Sequence, residues 1–253
     1  MLKRGLFILV VVLCSISPAK AAGCSSTSYG NGVTCVQGSA GGGAGTSLGA
    51  SFSTNVTANN LIVVAVTTNE SSVTVSNASM TCTTLSASTS SPVKNSGNTQ
   101  TFLYYGITTG GCQSVNFVVS SSVTATEEQT EWSGIKTTSP LDCDSTTGGT
   151  GNGTALTTGA CSPTPQSGGS ITGSMTSSVS GQWSMILSGF KTSTGSNDLF
   201  ISAGGGGFSN ATFTAGGSFA VVFQNGGTGH SAAMIAETQA SGSVKRRRGS
   251  VIQ

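Results

Sequence analysis

The chain has 253 residues, of which 36% are hydrophobic and only 7% charged, with 37 glycines and a formal net charge of +2. So little charge, with the apolar residues gathered in short periodic runs, excludes a highly charged disordered polymer and indicates a folded domain. Without the N-terminal leader and the basic C-terminal tail, three lysines face eight carboxylates, a body of about minus five that argues against nucleic-acid recognition.

The first segment, MLKRGLFILVVVLCSISPAKA, reads as a secretory signal peptide over residues 1–21. Lys3 and Arg4 form a basic start, Leu6 to Leu13 a short apolar run, and Ala19-Lys20-Ala21 a small-x-small cleavage site. The run is shorter than the roughly 20 residues that span a bilayer, so no transmembrane segment is expected. The predicted location is secreted or cell-surface. Lipid anchoring through Cys24 is an alternative, because AAGC at Ala21 to Cys24 loosely resembles a lipoprotein box, although Lys20 stands where an apolar residue is usual.

Residues 22–45 are expected to form an N-terminal disulfide loop and a flexible link, GSAGGGAG at Gly38 to Gly45. Cys14 leaves with the leader, and the even six that remain favour disulfides in an exported chain. Six cysteines allow 15 pairings; sequential nesting suggests Cys24–Cys35, Cys82–Cys112 and Cys143–Cys161. Zinc is disfavoured, because no two cysteines have C-x-x-C spacing and the chain has a single histidine.

Residues 46–242 read as one β-domain. LIVVAV (Leu61–Val66) is a short continuous apolar run, the pattern of a strand buried on both faces. Val115, Phe117 and Val119 alternate, as do Trp183, Met185 and Leu187, and Phe219, Val221 and Phe223. Gly-rich turns punctuate these runs, and no long segment repeats every 3.6 residues. The segment from Gly149 to Gly169 reads as a long loop tied down by Cys161. The predicted fold is all-β: a two-sheet jelly-roll-like sandwich of about ten to twelve short antiparallel strands, disulfide-stapled. Residues 243–253 form a basic tail containing KRRR at Lys245 to Arg248.

The order of several motifs resembles a bacterial secreted β-sandwich domain of unassigned activity. These are NNLIVVAVTT, TQTFLYYGITTGGCQSVNFVVSSSVTA, EWSGIKTTSPLD, SVSGQWSMILSGF and AAMIAETQA, together spanning about Thr46 to Gly242. The distinctive segment is the W-S-G…S-P-L-D run. The resemblance implies a jelly-roll-like, lectin-like sandwich in exported proteins and no catalytic residues. The added cysteines and the lack of large fused modules depart from that pattern and suggest a stand-alone, cross-linked version.

Five of the eight carboxylates lie between Glu127 and Asp144. On a strand Glu127 and Glu128 point to opposite faces, while Glu127 and Glu131 share a face with backbones roughly 13 Å apart. That spacing does not make a glycosidase pair, which needs carboxyls about 5–5.5 Å or 6.5–9.5 Å apart. EEQT therefore reads as a polar strand face, Trp132 as a packing anchor, and the rest as a turn set by Gly134 and Pro140. Asp142 and Asp144 offer hard oxygen ligands for Ca2+, or Asp142 caps loop amides after Pro140. His230 lies in a glycine-rich turn with no nucleophile elbow, so no catalytic site is predicted.

The function these features favour is a non-catalytic extracellular binding or adhesion module, with carbohydrate as the natural ligand class. Trp132, Tyr104, Tyr105 and Glu131 are the candidate ligand-binding residues, with core packing as the competing use of the aromatics. The expected partner is an extracellular glycan or surface polymer, or another copy of the chain. The alternative is a structural surface or matrix protein that self-assembles, with a carbohydrate-active enzyme as a weaker third reading.

Overall fold

The computed structural model describes residues 25–30, 32–68, 72–95, 99–151, 155–168, 170–177, 183–205, 208–214 and 232–239. The leader, Cys24, the run Phe219–Phe223, His230 and the tail Lys245–Arg248 lie outside the described residues.

The described residues form seventeen strands and no helix: β1 (Ser25–Gly30), β2 (Val33–Ser51), β3 (Leu61–Thr68), β4 (Val75–Met80), β5 (Ser86–Ala87), β6 (Val93–Lys94), β7 (Gln100–Ile107), β8 (Ser114–Ser133), β9 (Leu141–Ser145), β10 (Gly149–Gly151), β11 (Ala155–Thr157), β12 (Cys161–Ser162), β13 (Thr172–Ser177), β14 (Trp183–Lys191), β15 (Asp198–Gly205), β16 (Phe208–Thr214) and β17 (Ala232–Gln239). The count exceeds the expected ten to twelve because turn segments carry two- and three-residue strands. The expected long loop from Gly149 to Gly169 holds three of them, β10, β11 and β12.

All pairings among the described residues are antiparallel. The large sheet runs β1-β2-β8-β3-β7-β5, with β4 on β8 and β6 on β7; the second runs β12-β9-β14-β15-β17, with β10 on β14; β11-β13-β16 form a small third sheet. The core lies between the first two. Leu61, Val63, Leu103 and Trp132 of the large sheet pack with Ile186, Phe190, Leu199 and Ile201 of the second. The molecule is thus an all-β sandwich stapled by disulfides, and no helix among the described residues is long and apolar enough to cross a membrane.

β3 is buried along its whole length. The reason is a second apolar layer on its other face, where Ile62, Val64, Val66 and Phe102 meet Leu48, Phe52, Val115 and Phe117. This layer exists because β2 and β8 turn a corner together. The β2–β8 register jumps from Gly45↔Val123 to Ser47↔Val118, with Gly45 at φ +152°. The Gly38–Gly45 segment, expected as a flexible link, is therefore the middle of a 19-residue strand. Gly41 serves close approach: a Cβ there would lie 3.0 Å from the Ala50 Cβ and 3.1 Å from the Gly49 carbonyl oxygen. At the far end of β8, Gly134 has φ +83°, and a Cβ there would lie 2.1 Å from the Gly32 carbonyl oxygen. Only glycine fits this position, which sets the turn expected from the sequence.

Cys82–Cys112 and Cys143–Cys161 are disulfides, as nesting suggested, with sequence separations of 30 and 18. Cys35 is also disulfide-bonded, with its partner outside the described residues. Cys143 and Cys161 pack with Ile171, Leu187 and Phe200 on the outer face of the second sheet. Replacing both Cys143 and Cys161 with Ala is expected to lower stability by about 3 kcal/mol, chiefly by freeing the unfolded chain. Urea unfolding of the double variant checks this; an unchanged midpoint would show that the outer-face packing carries the loop without the bond.

Candidate functional site

The acid-rich stretch sits on the C-terminal half of β8, between β2 and β3. Glu127, Glu128, Gln129, Thr130 and Glu131 are all buried, so the expected polar strand face is not a surface. Two flanking strands and two covering layers close it off. Alternation sends Glu127, Gln129 and Glu131 toward the corner layer, and Glu128, Thr130 and Trp132 toward the second sheet.

Glu131 is a fully buried loop anchor. Its Oε1 accepts from Asn60 Nδ2 at 2.6 Å and from the Thr57 amide at 2.8 Å, while Oε2 accepts from Gln37 Nε2 at 2.6 Å. Gln37 Oε1 in turn accepts from Thr54 Oγ1 at 3.0 Å, which ties down the β2–β3 connection. Trp132 is 0% exposed, and its Nε1 donates to Thr130 Oγ1 at 2.8 Å. It is a packing anchor, and neither it nor Glu131 presents a surface to a ligand. Tyr104 stacks against Phe102 and packs at a tilt against Phe117, and Tyr105 packs edge-on against Phe190. The two tyrosines therefore lie on opposite faces of β7 and form no shared platform. Burial raises both phenols above their ordinary range, and for Tyr105 the Asp144 charge adds to it.

Glu127 faces the corner layer with no hydrogen-bond partner on either carboxyl oxygen. Burial pushes its pKa up to about 8, so the group is largely protonated at neutral pH.

Asp142 and Asp144, proposed from sequence as a Ca2+ pair, point to opposite faces of β9. Asp144 faces inward, where Oδ1 accepts from Ser88 Oγ at 3.0 Å and also from Ser188 Oγ. Its Oδ2 accepts from the Thr89 amide at 2.7 Å and Thr89 Oγ1 at 2.6 Å, binding the β5–β6 turn to the second sheet. Asp142 faces outward, because a bulge in the β9–β14 register at Gly189/Phe190 turns it to the same side as Cys143. It accepts from the Gln166 amide rather than from an amide after Pro140, and it pairs with Lys191 Nζ at 3.2 Å. Opposite orientation separates the two as ligands, and no cluster of three or more His, Cys, Asp or Glu side chains suited to a metal occurs among the described residues.

Two groupings follow that the sequence reading missed. The first is an open depression of about 360 Å3 over Asp144, lined by Thr89, Ser90, Thr146, Thr147 and Ser162. Scattered Ser and Thr in so hydroxyl-rich a chain gave no signal for it. The second is a row across three adjacent strands, Asp142 on β9, Lys191 on β14 and Asp198 on β15. Here a signal existed: in a body with three lysines, Lys191 and Asp198 flank the STGSN turn, and a hairpin aligns them in register.

No family model, curated protein or solved structure matches this chain. The functional reading therefore rests on the geometry of these groups.

Proposed function

We propose that this chain is a non-catalytic extracellular binding or adhesion module with carbohydrate as its ligand class, built on a sandwich that resembles secreted bacterial β-sandwich domains of unassigned activity. The observation that carries the reading is the hydroxyl-lined depression over Asp144. Neutral hydroxyls at the rim match the donor and acceptor pattern of a sugar, and the turn beneath them is held by three hydrogen bonds to one carboxylate, which Ser188 of the second sheet also holds. Preformed polar groups of this kind bind at low ordering cost. Disulfides support folding in an oxidising compartment, in keeping with export.

A glycan array probed with and without Ca2+, alongside light scattering, tests this. Binding is expected. Thr147→Arg, at an exposed rim position, is expected to weaken it at least about tenfold by filling the depression, a loss of about 1.4 kcal/mol, with the thermal midpoint unchanged. Ordered, concentration-dependent assembly with no glycan bound would overturn the reading in favour of a self-assembling surface protein. Turnover of a bound glycan would overturn its non-catalytic character.

A further inference from the structure

The row Asp142–Lys191–Asp198 lies on the outer face of the second sheet, roofed by the loop after β12. Consecutive amides of that loop hold the two carboxyls: Gln166 N–H donates to Asp142 Oδ2, and Ser167 N–H donates to Asp198 Oδ2 at 2.9 Å. The backbone of Lys191 is fixed by the segment before β9, its amide donating to the Pro140 carbonyl at 2.8 Å and its carbonyl accepting from the Lys136 amide at 2.9 Å. Its Nζ then reaches Asp142 Oδ1 at 3.2 Å. Asp198 is 0% exposed, and its Oδ1 meets no ordinary donor. The Asp142 carboxyl lies close enough to Asp198 that its charge helps to hold a proton on Asp198.

An amine against a carboxyl, with a second, buried carboxyl beside them, is the arrangement that amide condensation needs. We propose that Lys191 and Asp142 form an intramolecular isopeptide bond, with Asp198 as the proton shuttle. The Nζ–Cγ bond forms and one Cγ–O bond of Asp142 breaks. Asp198 gives its proton to the departing oxygen and regains one from Nζ; the other proton lost by Nζ completes the departing water. Ammonium plus carboxylate thus become amide plus water, and Asp198 ends as it began. The Gln166 amide sits on the oxygen that carries negative charge in the tetrahedral intermediate. Burial raises Asp198 to about 6, with Ser167 hydrogen bonds opposing and the Asp142 charge adding, so the acid form is accessible near neutrality. Fixed placement supplies a high effective concentration of amine. Condensation also removes two charges from a half-dry site, where holding them apart from water is costly. Lysine and aspartate on neighbouring strands would then be joined beside the Cys143–Cys161 bond, a second covalent staple on the same face.

Intact mass of the reduced, denatured full chain tests this, compared with Lys191→Arg after correction for the substitution. The wild-type chain is expected to be lighter by one water, and its digest to contain a branched peptide joining Lys191 to Asp142. Asp198→Asn, which keeps the shape of the side chain, is expected to slow closure by about 10²–10⁴-fold and so accumulate the heavier form. A folded wild-type chain with the uncondensed mass and separate Lys191 and Asp142 peptides would overturn the proposal. So would an Asp198→Asn chain that closes at the wild-type rate, as far as the shuttle is concerned.

Discussion

Stability is expected to fall as pH rises from about 4.5 to about 8, by about 1.4 kcal/mol per pH unit from Glu127 alone. In the unfolded chain this carboxyl releases its proton near its ordinary value, whereas in the folded chain burial holds the proton until about pH 8. Between those values the unfolded state binds fewer protons, so raising the pH favours unfolding. Below 4.5 both states are protonated and the contribution is fully present; above 8 both are ionised and no further loss follows. Glu127→Gln removes the titration while keeping shape and polarity. It is expected to flatten this slope and to gain about 3 kcal/mol at pH 7. Urea unfolding of both chains at pH 5, 7 and 8 decides the matter, and a slope that survives the substitution would assign it to another group. Asp198, raised to about 6, adds a smaller fall of the same sign in the wild type.

Glu131→Ala is expected to cost about 3–5 kcal/mol, the other large effect. Three donors converge on this one carboxylate, from Gln37, Thr57 and Asn60; Gln37 and Asn60 are buried, and Thr57 lies on the exposed connection. Removing the acceptor orphans them at about 1–3 kcal/mol each, less what Gln37 recovers from the Thr54 carbonyl. The β2–β3 connection should loosen with it, so amide exchange at Thr57 should accelerate more than exchange across β14. Equal acceleration everywhere would mean that Glu131 supports the whole sheet rather than one loop. Trp132, its neighbour, faces the other side and leaves this network untouched, so Trp132→Phe should not reproduce the local effect.

Much of the architecture was legible. LIVVAV announced a strand buried on both faces, because only such a strand tolerates apolar side chains at every position. The even cysteine count and short spacings matched the two disulfides whose halves are both described. Trp132 was legible as a packing anchor and Gly134 as the turn residue. Trp183, Met185 and Leu187 were legible as one strand face, and Met185 and Leu187 are buried on the outer face of the second sheet, under further cover.

The Gly38–Gly45 segment shows where local reading stops. Glycine composition signals freedom, yet here it serves a strand that folds back closely enough for Gly41 to approach Ala50. Nothing within the segment records the partner that holds it; 78 residues or more separate it from the β8 positions it pairs with, as in Gly45↔Val123 and Gly43↔Ala125. The acid-rich stretch misled for the same reason. A run of polar residues on a strand reads as solvent-facing until both neighbours and both covering layers are known.

By itself, the sequence determined the class of fold, the strand character of its apolar runs, the presence of disulfides and the net acidity of the body. Those depend on side-chain periodicity, cysteine count and charge, which are local or additive. Only the tertiary structure decided what each carboxylate does. Glu131 anchors a loop, Asp144 a turn, Glu127 lies protonated in the interior, and Asp142 meets Lys191 and Asp198 across three strands. A carboxylate's chemistry is set by its donors, its burial and the charges beside it, and in this sandwich those come from strands distant in sequence.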